Sequence, residues 1–124
     1  MTNLICCVVA ALIQIESAGK ADAVGDGGKA VGILQMWPIA VREANRVSGG
    51  NWTLADRLDP EKSKAMAFAT LVWHYKRGVI NPVALAGRWR NPRGNAPTWY
   101  LNKARKALAE NKTKILVDGF QGVE

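Results

Sequence analysis

From Leu4 to Ile15 the chain reads Leu-Ile-Cys-Cys-Val-Val-Ala-Ala-Leu-Ile-Gln-Ile, and the next residue is Glu16. At helical spacing Leu4, Val8, Ala11, Leu12 and Ile15 share one face, but the other sides are nearly as apolar. A helix that is hydrophobic all round is normally buried by its neighbours, so the rest of the chain has to wrap this segment. The run is too short to span a bilayer. With no Lys or Arg before Lys20 it also lacks the basic start of a secretory leader. The pattern predicts a buried helix, capped by Thr2 or Asn3 and running to about Ser17. Glu16 then lies at the C-terminal end of that helix, where burial and the negative end of the helix dipole both disfavour an ionised carboxyl.

The remaining chain is punctuated as further helices and one irregular region. Residues 19 to 32 are rich in glycine and small residues, which predicts tight turns and a short hairpin. Ile33 to Met36 is a short apolar segment. Pro38 opens a second helix that ends near Gly49, and residues 50 to 58 form a connector. Asp59 and Pro60 cap and start a third helix reaching about Arg77; Asn81 and Pro82 do the same for a fourth, to about Trp89. After a loop from Asn91 to Pro97, Thr98 is expected to cap a last helix to about Asn111. The tail, residues 112–124, carries one apolar run, Ile115 to Val117, that suggests an edge strand. The sum is a mainly α (α+β) chain of about five helices with a small glycine-rich β/loop region. The 124 residues suit a single domain, 1–124.

Several chemistries are excluded early. His74 is the lone histidine and the cysteines, Cys6 and Cys7, are adjacent, so no zinc site can be assembled. No metal and no cofactor is expected. Neighbouring helical residues diverge, so Cys6 and Cys7 are read as small packing residues rather than a bridge. A Ser-His-Asp arrangement would have to use His74, and no nucleophile elbow is present; His74 is expected to pack beside Trp73 and Tyr75. The glycines at 25, 27 and 28 lack the strand-to-helix context of a phosphate loop. Lys plus Arg outnumber acids by 17 to 10, a formal charge of +7, which draws the chain toward polyanions: nucleic acid, anionic lipid or an acidic wall polymer. Lys103, Arg105 and Lys106 on the last helix read as a solvated basic face.

The segment that carries chemistry runs from Ile15-Glu16-Ser17 through Gly25-Asp26-Gly27-Gly28 to Gly32-Ile33-Leu34-Gln35-Met36. Glycoside cleavage needs one carboxyl kept protonated by an apolar setting, and a second that stays ionised in a polar loop. Glu16 fits the first environment and Asp26 the second. On spacing alone, an acid in a glycine loop is usually a turn former.

Glu16-Ser17 followed by Gly32-Ile33-Leu34-Gln35-Met36 resembles the shared signature of the soluble lytic transglycosylases and goose-type lysozymes. Asn45-Arg46, Ala55-Asp56-Arg57-Leu58-Asp59-Pro60 with Ser63, Trp89 before Pro92-Arg93-Gly94, and the spacing Tyr100-x-x-Lys103 are similar to later landmarks of that group. The resemblance covers residues from about 4 to 108. It implies a lysozyme-like fold with an active-site cleft beside the acid, and cleavage of the β-1,4 bond between N-acetylmuramic acid and N-acetylglucosamine in peptidoglycan glycan strands. Glu16 carries over as general acid, Ser17 as its supporting neighbour, Gln35 to the cleft floor with its amide on sugar, and Tyr100 near the site. Asp26 matches a goose-type acid that positions water, with Asp22 an outside alternative.

Three departures stand out. Trp37 occupies the place of a further goose-type acid. Ala18-Gly19 follows the Glu-Ser pair where Gly-Gly or Gly-Asn is common. The aromatic-Asn-x-Gly loop that contacts the N-acetyl sugar reads Trp89-Arg90-Asn91-Pro92, so either Asn91 substitutes or Arg90 has replaced the Asn. Trp89 is a candidate cleft aromatic, Trp37 a weaker one, and Trp73 is expected in the core.

The expected activity is muramidase hydrolysis or anhydro-sugar formation. The competing readings are a catalytically silent glycan-binding module and a basic nucleic-acid-binding domain, of which the nucleic-acid reading is disfavoured. A monomer without a membrane span is expected. The absent leader suggests synthesis in the cytoplasm and action on the wall after release, or as a virion-borne lysis protein of a phage.

Overall fold

The computed structural model describes the backbone of residues 1–122 and the side chains of residues 1–111. Five α-helices are joined by short connections: α1 (Thr2–Ser17), α2 (Pro38–Ser48), α3 (Pro60–Lys76), α4 (Pro82–Arg90) and α5 (Thr98–Gly122). Between α1 and α2 lies a two-stranded antiparallel hairpin, β1 (Val24–Gly25) and β2 (Ala30–Val31), with Val24 opposite Val31 and Gly25 opposite Ala30. A 3₁₀ turn, Asp26–Gly28, joins its strands, and a second, Leu54–Leu58, precedes α3. This is the mainly α architecture with a small glycine-rich β region that the lysozyme-like reading implies.

Local chemistry sets most helix ends. Asp59 accepts from the backbone N–H groups of Glu61 and Lys62, and Asn81 from those of Val83 and Ala84. Pro38, Pro60 and Pro82 stand where a helix needs no N–H. Two expected caps are corrected. The residue before α1 is Met1, with no side-chain cap, and Thr2 and Asn3 are already helical and exposed. Thr98 is the first residue of α5; the carbonyl of Pro97 accepts from Tyr100 and Leu101 instead. The expected edge strand at 115–117 is also corrected, because the backbone there continues α5. Extending a helix adds one hydrogen bond per residue fixed, whereas a new strand needs a partner edge.

The core joins all five helices: Ile5, Val8 and Leu12 of α1, Val41 and Ala44 of α2, Met66 and Leu71 of α3, Leu85 of α4, and Tyr100 and Ala104 of α5. Ile33, Leu34 and Met36 also enter it, which explains the apolar residues around Gln35. α1 packs against α3, α4 and α5 but is not covered on every side. Cys6 and Ala10 are exposed over a shallow depression shared with Ala65 and Phe68 of α3. Small side chains make this face cheap to leave open, because each exposes little apolar area. His74 is buried edge-on to Trp73, whose ring is half-buried with the Arg77 and Arg46 guanidinium groups over it. No helix among the described residues is long and apolar enough to cross a membrane.

Candidate active site

Glu16 lies in the last turn of α1, which closes on Ala18 in the left-handed conformation (φ 53°). Its carboxyl is half-buried, and its Oε1 accepts from the Tyr100 hydroxyl at 2.8 Å. Burial raises its pKa above the usual carboxylate range. The Tyr100 hydrogen bond and the Arg90 charge pull the other way; Asp26 adds to the rise and Lys103 opposes it. Burial beside Glu16 pushes the Tyr100 phenol far up as well, so it remains a donor.

Ser17 does not bond to Glu16. Its hydroxyl donates to the Ile33 carbonyl at 2.6 Å and accepts from the Gly19 N–H at 3.2 Å. This ties the end of α1 to the segment Gly32–Gln35 and so fixes where Glu16 begins. That segment is a tight turn: Val31 and Met36 bridge each other, and the Gln35 N–H donates to the Gly32 carbonyl. The turn needs Gly32, whose φ is +87° and where any Cβ would land on the Arg57 carbonyl.

Gln35 lines the groove, but its side-chain amide nitrogen donates to the carbonyls of Ala23 (2.9 Å) and Gly32 (3.0 Å). Both N–H donors are therefore held by the hairpin rather than offered to a sugar. Its Oε1 abuts Gly25, where a Cβ would stand 2.7 Å away. The downstream landmarks serve the same end. Arg57 donates to the carbonyls of Lys29 (3.1 Å) and Met36 (3.0 Å), and Ser63 holds the Arg57 carbonyl at 2.9 Å. Asn45 brackets Trp52 through its N–H and its carbonyl.

A groove of about 870 Å³ opens beside Glu16. Of the residues singled out from the sequence, Glu16, Asp26, Gln35, Trp89 and Asn91 line it, together with Arg90 and Trp37; Asp22 does not. Ser17 and Tyr100 stand behind it. Asp26, exposed and at φ 52°, accepts from the Trp37 indole N–H at 3.1 Å, and the Lys29 ammonium lies 5.2 Å from the Trp37 ring centre. Trp89 is half-buried, its indole N–H donating to the Leu34 carbonyl at 3.3 Å. Asn91 ends α4 and accepts from the Arg93 N–H through Oδ1, which leaves its amide N–H groups to the groove.

Sequence reasoning missed part of the wall. Ile39, Ala40 and Glu43 of α2, Thr70 of α3, and Arg88 and Arg93 also line the groove. Ile39 and Glu43 lie four apart on one helix face, and Ile39 is exposed; an apolar residue on a solvent-facing stripe was the available signal. Glu43 is engaged by Arg46 at 2.7 Å. Among the described residues no group of His, Cys, Asp or Glu could hold a metal ion. The chemistry on offer is proton transfer from a carboxyl that stays protonated above the usual range, at the side of an open groove with charged residues along it.

The model of the Transglycosylase SLT domain family matches residues 3–114. Searches of curated proteins and of solved structures each gave no match. The matched span runs from the start of α1 into α5 and takes in both Glu16 and Tyr100. The chain therefore belongs to the transglycosylase SLT domain family of the lysozyme-like superfamily, whose members act lytically on peptidoglycan.

Proposed function

We propose that this protein cleaves the β-1,4 bond between N-acetylmuramic acid and N-acetylglucosamine, with Glu16 as the acid. One observation carries the reading: the half-buried carboxyl of Glu16, its pKa raised by burial, faces the groove while Tyr100 holds it from behind. Glu16 protonates the glycosidic oxygen, the bond breaks, and positive charge develops on the muramoyl ring carbon. The carboxylate left behind then takes a proton from the incoming nucleophile.

The muramoyl 6-hydroxyl is the favoured nucleophile, giving an anhydro sugar. The support is the match to the transglycosylase family, with Glu43 engaged by Arg46 and one oxygen of Asp26 by Trp37. Glu16 then serves as acid and base in turn. Hydrolysis is the second reading, supported by Asp26 lining the same groove, where it would steer water. Mass spectrometry of digested peptidoglycan separates the two: the anhydro product is lighter by one water. Retained lysis of purified walls by Glu16→Gln would sink both. Release after synthesis in the cytoplasm, as a phage lysis protein or a virion component, is our proposal for where it meets the wall.

A further inference from the structure

Charge in the groove is sorted by wall. The carboxylates Glu16, Asp26 and Glu43 come from α1, the hairpin turn and α2, while Arg88, Arg90 and Arg93 come from the end of α4 and the loop after it. The ion pairs among the described residues are Arg46–Glu43, Lys62–Asp56 and Lys64–Glu61. None of them uses an arginine of this wall. Arg88 donates to the Pro92 carbonyl at 2.8 Å and thereby fastens the loop. Arg90 is exposed, its guanidinium over the rings of Trp99 and Tyr100, at 5.5 and 5.9 Å. Arg93 is exposed, and its backbone N–H is held by Asn91.

Two exposed guanidinium groups line one side of the groove, and neither forms an ion pair among the described residues. A neutral sugar needs neither of them, because hydroxyl and acetamido groups are satisfied by uncharged donors. Arg90 also pulls Glu16 toward ionisation, which opposes the work of an acid. A bound anion offsets that pull. The guanidinium fork matches a carboxylate with two parallel hydrogen bonds.

We propose that Arg90 and Arg93 form an anion subsite for the carboxylates carried on the peptide arms of the glycan, so that the groove selects peptide-bearing strands over bare ones. This rests on the groove being the glycan-cleaving site. The peptide arm is favoured over the phosphodiester of an attached wall polymer because the arm leaves the muramoyl 6-hydroxyl, the favoured nucleophile, free. Seating that sugar delivers its arm to the adjoining wall.

The test uses Glu16→Gln, which binds without turnover, and strands with peptides intact or stripped by an amidase, the lactyl carboxylate that stripping frees being capped as a methylamide. Intact strands should bind about tenfold more tightly, the scale of one charge-assisted contact. Adding Arg90→Gln and Arg93→Gln should bring the ratio close to one. Arg90→Lys with Arg93→Lys, which keeps the charge but loses the fork, should restore part of it. Equal binding of intact and stripped strands by Glu16→Gln would overturn the subsite, as would a ratio that survives both Gln substitutions. A preference lost on removing the phosphodiester polymer instead of the peptide would overturn it too. Binding of neither strand would overturn the glycan reading itself and the subsite with it.

Discussion

The Tyr100 hydroxyl donates to Glu16 Oε1 at 2.8 Å, joining the first helix to the last across 84 residues of sequence. That bond favours the ionised carboxyl, while burial favours the neutral one, and burial prevails. The phenol thus sets the direction of the acid and trims its pKa.

Replacing Glu16 with Gln should lower wall lysis by about 10²–10⁴-fold, the usual scale of general-acid catalysis. Stability should move the other way. With its folded pKa above the unfolded one, the folded state holds more proton between the two values, so this group's contribution falls as pH rises from the ordinary Glu range through the raised pKa. The variant should be at least as stable as wild type at neutral pH, and the gap should close in acid. His74, its pKa lowered by burial, is common to both proteins and drops out of the comparison. Turbidity assays and thermal melts across pH check both parts. A variant distinctly less stable at neutral pH would contradict this account.

Tyr100→Phe removes a bond that favours the carboxylate, so the Glu16 pKa should rise further. The alkaline limb of the activity–pH profile should shift to higher pH. The maximal rate should fall roughly tenfold, because an acid held only by packing loses aim. Stability should drop by about 1 kcal/mol, as for a typical hydrogen bond. An alkaline limb that moves to lower pH would show that the hydroxyl acts otherwise.

Ser17→Ala leaves the buried Ile33 carbonyl without its partner. An unsatisfied buried acceptor costs about 1–3 kcal/mol. Chemical denaturation should show that loss, and kcat should fall more than KM changes, since the tether positions Glu16 without touching the groove.

Gly32→Ala combines a positive φ with a methyl group placed on the Arg57 carbonyl, and the atom it meets belongs to backbone and cannot swing aside. Gly27, also at positive φ, faces open space. Gly27→Ala should therefore cost only about 1–2 kcal/mol, the left-handed penalty alone, and Gly32→Ala clearly more. Equal melting temperatures for the two variants would refute the close-approach argument.

What was legible in the sequence was what local chemistry decides. Asp59-Pro60 and Asn81-Pro82 announce helix starts because an Asx side chain and a proline act within one turn. Thr2, Asn3 and Thr98 carry the same cap chemistry, yet the backbone entered the helix one or two residues earlier than that rule places it. That burial at the end of an apolar helix would raise the Glu16 pKa was legible from the pattern, whereas its role came through resemblance. Gln35 was legible as a marker but not in its contacts, which depend on how the turn at Gly32 folds back. Glu43 and Arg88 were not legible, since the groove wall exists only where α2 faces the end of α4. Tyr100 came through resemblance alone; no local pattern links it to Glu16.

The order of the two partners along the chain has a further consequence. Glu16 is synthesised 84 residues before Tyr100, so a nascent chain carries the carboxyl long before it carries the residue that aims it. The aimed carboxyl exists only once α5 has docked on α1. A copy that stops short of α5 therefore has nothing to hold this side chain in place.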